Sequence, residues 1–204
     1  MITAANSRST QRPQPPPARM NLSRIVCESQ PQPLRILLHG VEGIGKTSFG
    51  AAAPTPIFIC PEDGLPPAVA NTPHFPAPEG GWTWRDILAA IAALSAEDHG
   101  YKTLVLDTLD WIEPIVWADL CERNKWDGIE DPGYGKGYVA AVDDWRKLIV
   151  GLETLRRVKG MQVIMLAHSA IRTFKDPESE GWDRYELKIH KSAAGLLKEW
   201  SDVV

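Results

Sequence analysis

Three glycines, a lysine and a threonine stand together in GVEGIGKT, Gly40–Thr47. The run fits GxxxxGK[ST] in full. It follows the apolar run LRILL and precedes a helical stretch, the context this pattern requires. Gly40, Gly43 and Gly45 allow backbone turns that aim several N–H groups inward at an anion. Val41, Glu42 and Ile44 supply further backbone to that cradle, and Ser48 extends it. The Lys46 ammonium reaches the β- and γ-phosphates as a mobile point charge. The Thr47 hydroxyl ligates Mg²⁺. The chemistry implied is binding of a nucleoside triphosphate, ATP with Mg²⁺.

Other candidates lie further along. TLVLD (103–107) ends an apolar run in Asp107, placed to hold Mg²⁺ directly or through water. Asp110 is the competing acid, and its place three residues later favours a helix N-cap. IFICPEDGL puts Glu62 just past another strand, where a carboxylate can orient or deprotonate water. Asp63 is its neighbouring alternative, and a solvated loop acid is the plainer reading of both. IMLAHS ends in His168, either a reader of the γ-phosphate or a hydrogen-bonded structural histidine.

The elements that must carry these groups alternate. Strands are expected at 34–38, 56–60, 103–107 and 161–167. Helices are expected at 46–53, 84–94, 110–124 and 138–159. Residues 61–81, 127–137 and 168–186 read as loops. Short continuous apolar strands between helices predict an α/β fold, a mainly parallel sheet with helices on both faces. WSDVV reads as the start of a fifth strand, with later strands expected to be missing. The domain is drawn as 34–204. Residues 1–33 are Pro/Gln-rich and read as a disordered segment, with Met20 a plausible natural start.

Composition bounds the partners. Hydrophobic residues are 44% and charged residues 24%, as in ordinary globular chains. No apolar run reaches the ~18 residues of a membrane span, and no secretory signal is present, so a cytoplasmic protein is expected. Cys27, Cys60 and Cys121 are too scattered for a metal or disulfide framework. Net charge is −4 overall, with residues 34–204 the acidic part, so charge alone gives no nucleic-acid footprint. Of the eight tryptophans, Trp111, Trp117 and Trp145 fall at helical core spacing. Trp126 and Trp182 fall in loops, where they can stack on bases or cover an interface.

The order GVEGIGKT, IFICPEDGL, TLVLD, IMLAHS resembles the RecA-type ATPase core. With GYGKGY (133–138) ahead of a long helix and VIMLAH, it is most similar to phage-encoded RecA-like, AAA-type ATP-binding proteins tied to single-strand annealing recombination. The resemblance spans 21–204. It implies a Mg²⁺-dependent, DNA-stimulated ATPase and a homo-oligomer acting on single-stranded DNA in the bacterial host cytoplasm. It implies that Glu62 is the catalytic glutamate, that Lys46 assists, and that His168 senses the γ-phosphate. It places DNA-facing loops at 125–138 and 169–186, and Lys188 and Lys191 where a neighbouring subunit's cations act. Loop 169–186 departs from that pattern, since its acids outnumber its bases. Two other readings stay open: a P-loop small-molecule kinase, and a non-hydrolysing ATP-binding assembly module.

Overall fold

The computed structural model describes residues 21–27, 31–62, 65–174 and 181–204. The chain divides into two compact units, Met1–Pro31 and Gln32–Val204. Within the first, Leu22–Arg24 form a single 3₁₀ turn. Of the segment 1–33 expected to be disordered, residues 1–20 and 28–30 lie outside the described residues.

The second unit is built on a five-stranded sheet. Its strands are β1 (Arg35–Gly40), β2 (Pro56–Ile59), β3 (Thr103–Asp107), β4 (Gln162–Phe174) and β5 (Trp182–Leu187). The order is β1-β4-β3-β2, parallel throughout, with β5 antiparallel to the far half of β4. The helices are α1 (Lys46–Ala51), α2 (Trp84–Ala96), α3 (Leu109–Asn124), α4 (Lys136–Thr154) and α5 (Lys191–Trp200). α4 continues into a π-helical turn, Leu155–Lys159.

The continuous apolar strands are buried on both faces, as a parallel sheet requires. Leu104 and Leu106 of β3 face one way, with Leu37, Val163 and Met165, against α2 to α5. Val105 faces the other way with Phe58, Ile164 and Leu166, toward Ala51 at the end of α1. All three β3 residues are fully buried. Each such side chain contributes about 1.5–3 kcal/mol relative to leaving it exposed. The covering is lopsided, four helices against one.

Local signals explain several boundaries. Thr83 and Asp86 form a reciprocal capping box that starts α2. A parallel bridge pairs Val203 with Ile36, so the WSDVV run does reach the sheet, beside β1. Three expectations are corrected. The stretch 168–186 is not all loop: β4 runs on to Phe174 and returns as β5. Trp111 is 45% exposed, whereas Trp145 is buried and Trp117 packs against the core. Trp126 also packs against the core, although it lies in a connection. No described helix is long and apolar enough to cross a membrane.

Candidate functional site

Strand register brings the candidate residues together. Gly40, the last residue of β1, pairs with His168 in β4. Asp107, the last residue of β3, pairs with Leu166 in the same strand. The two carboxyl ends therefore flank His168, and the phosphate-loop pattern begins beside it. Ligands of open α/β sheets bind at this edge.

Gly43 and Gly45 adopt φ of 74° and 101°, values open to glycine and strained for other residues. These turns fold residues 40–45 back over the start of α1. Lys46 is buried, and its Nζ donates to the carbonyls of Gly40 at 3.1 Å and Val41 at 3.0 Å. The ammonium is thus held across the mouth of the loop by weak neutral acceptors. An anionic phosphate oxygen is a stronger partner for it.

The Thr47 hydroxyl donates to Asp107 Oδ2 at 2.8 Å. Burial pushes the Asp107 carboxyl above the usual range, while Thr47, Lys46 and His168 pull it down. A buried carboxylate and a hydroxyl in contact form a hard-oxygen pair lacking a full counter-charge. That donor set fits Mg²⁺, which binds through one or two protein oxygens plus phosphate.

Glu62 lies just beyond β2 and is half-buried. Burial raises its carboxyl above the ordinary value; His168 opposes this, and the negative charges of Asp107, Asp110 and Glu42 add to it. An acid raised in this way is a better proton acceptor than a free carboxylate. Asp63 lies outside the described residues.

His168 is not a free polar end of a strand. Its backbone N–H donates to Asp110 Oδ1 at 2.9 Å, and its Nδ1 meets Asp110 Oδ2 at 2.8 Å. This corrects the reading of Asp110 as an N-cap. Thr108 occupies that position, and Asp110 lies within the first turn of α3. The clasp joins residues 58 apart, so only the strand order reveals it. Burial pushes Asp110 up, but the His168 contacts outweigh this and hold it below the usual carboxylate range.

One cavity of about 410 Å³ is lined by Glu42, Gly43, Lys46, Thr47, Ser48 and Gly45 from the loop. Glu62 and Asp107 line it from the ends of β2 and β3, and His168 from within β4, with Cys60, Pro66 and Thr108 between them. Its volume suits a small-molecule ligand. Gly40 sits at the base of the loop, whereas Val41 and Ile44 are exposed outside it. Lys188 donates its backbone N–H to the His168 carbonyl, and its side chain, like that of Lys191, is exposed.

The arrangement can cradle phosphate, hold a hard cation beside it, and set a raised carboxyl and an imidazole across from both. No curated protein matches the chain. A family model described as an AAA domain matches residues 32–204, the whole of the second unit, and its nucleotide chemistry agrees with the cavity's residues. By that match the chain belongs to the AAA-domain family, as an α/β nucleotide-binding domain of the P-loop ATPase type.

Proposed function

We propose that the protein is a RecA-like, Mg²⁺-dependent ATPase acting on single-stranded DNA in phage or prophage recombination or replication. In this reading it works as a homo-oligomer in the cytoplasm of a bacterial host. The observation that carries the catalytic part is the convergence of Lys46, Thr47, Glu62, Asp107 and His168 on one cavity. The strand order β1-β4-β3-β2, with Val203 beside β1, supports the RecA-like part.

The roles follow from position. Backbone N–H groups of residues 43–48 bind the phosphates, and Lys46 neutralises their charge. Thr47 and Asp107 would hold Mg²⁺, which supplies electrostatic stabilisation of the transferring phosphoryl group. Glu62 orients the attacking water and takes its proton. His168 touches the γ-phosphate and passes its loss to β4, whose far half leaves the parallel sheet to pair with β5.

Support for DNA comes from the surface beyond that strand. Ile171 and Tyr185, cross-strand partners in the β4–β5 hairpin, are 64% and 61% exposed. Trp182 is half-exposed, and Tyr134 in the 125–138 connection is fully exposed. Exposed aromatics give stacking platforms worth about 1–3 kcal/mol per base. Arg172 and Arg184 are both drawn to Glu186, so the hairpin offers placed contacts and not a strong positive field.

A kinase reading has less support. Arg156 and Arg157, the nearest thing to an arginine lid, both donate to Glu153, away from the cavity. The discriminating test is the ATPase rate against added single-stranded DNA, with nucleosides as the alternative acceptor and Lys46→Ala as control. Stimulation by DNA alone is expected. A rate flat across DNA concentrations contradicts the recombination reading.

A further inference from the structure

We propose that Asp110 is a positioning residue: it turns the His168 ring so that Nε2 meets the γ-phosphate of bound ATP. The inference rests on the ATPase reading above and extends it to a residue that does not itself line the cavity.

One carboxylate fixes His168 twice, through the backbone N–H at 2.9 Å and the ring at 2.8 Å. The Asp110 side chain is 7% exposed and that of His168 is 18% exposed. A carboxylate held below its usual range is ionised and accepts only, so Nδ1 must carry the proton in this contact. Nε2 is then the ring nitrogen left for a ligand. To meet a phosphate oxygen, which only accepts, Nε2 must donate as well.

The surroundings are arranged for this contact. Asp110 sits on α3, whose Leu109, Ile112 and Val116 are fully buried, so its backbone is rigid. Thr108 begins that helix, yet its hydroxyl makes no capping bond. The hydroxyl is buried and has no hydrogen bond of ordinary geometry, although it lies near enough to Asp110 to favour the ionised form. An acid serving only the helix terminus would need none of this, and its loss would change stability alone.

The test uses the full chain with Asp110→Ala, Asp110→Asn, His168→Ala and the double variant Asp110→Ala/His168→Ala. Steady-state kcat and KM for ATP are measured with thermal midpoints and side-chain ¹⁵N spectra of the histidines. Asp110→Ala is expected to lower kcat about tenfold or more while KM moves less than about threefold. The loss should vanish in the His168→Ala background, and the His168 ring signals should shift in Asp110→Asn. Additive losses in the double variant would overturn the proposal, as would an unchanged kcat in folded Asp110→Ala. Wild type and Lys46→Ala separate the two levels. If wild type releases no phosphate, or Lys46→Ala releases it at the wild-type rate, the ATPase reading fails and takes this inference with it. If Lys46→Ala stops turnover but Asp110→Ala does not lower it, only the positioning role fails.

Discussion

The hydroxyl of Thr47 donates to Asp107 across 60 residues of sequence, at 2.8 Å. The bond ties the first turn of α1 to the end of β3. It also places two hard oxygens side by side, one of them on a buried acid.

Asp107→Asn should therefore keep the fold and lose the metal. Burial disfavours the Asp107 carboxylate, so the amide relieves a cost and the thermal midpoint should hold or rise. Mg²⁺-dependent turnover should fall about 100-fold or more, by analogy with loss of other transition-state charge contacts. Metal-free nucleotide binding should change little. Titration calorimetry with and without Mg²⁺ checks both statements.

A second buried acid predicts a pH effect on stability. Glu113 of α3 accepts the His190 N–H through both oxygens, at 2.8 and 3.1 Å. Burial pushes it from 4.5 up to about 7. The folded protein thus keeps a proton that the unfolded chain has lost between those values. Its contribution to stability falls as pH rises from 4.5 to about 7, then stays level. Glu113→Gln keeps an acceptor for His190 and should flatten that slope. It should raise stability at pH ~8 by on the order of 2 kcal/mol. Urea unfolding at pH ~5 and ~8 measures the difference, and parallel slopes in the two proteins would refute it.

The 125–138 connection is anchored at one tight point. A Cβ at Gly137 would lie 1.8 Å from the Ile129 carbonyl oxygen. Gly137→Ala must move backbone, and should cost about 1–3 kcal/mol. Thermal unfolding reads the loss; a midpoint equal to wild type would show that the connection yields freely.

How much of this was legible depends on what each signal needs. The sequence marks β3 at its true bounds, because TLVLD is a continuous apolar run and burial on both faces leaves no alternation. Apolarity alone ends β4 at Ala167, short of its observed end at Phe174. Beyond His168 the strand pairs only with β5, and residues such as Arg172 and Thr173 remain exposed, so apolarity no longer marks it. GVEGIGKT was legible because its chemistry is local. The Asp110–His168 clasp was not, since it depends on β3 lying beside β4. Trp111 illustrates the opposite error. It has the spacing of a core residue, but that face of α3 looks outward.

The central claim is that this cavity hydrolyses ATP with Glu62 as the group that handles water. Its most direct test is phosphate release from saturating MgATP by wild type, Glu62→Gln and Lys46→Ala, alongside nucleotide affinity. The account predicts turnover in wild type. It predicts retained binding with a loss of about 100-fold or more in Glu62→Gln, and weakened binding in Lys46→Ala. Equal release by wild type and Glu62→Gln, or undiminished release by Lys46→Ala, would contradict it.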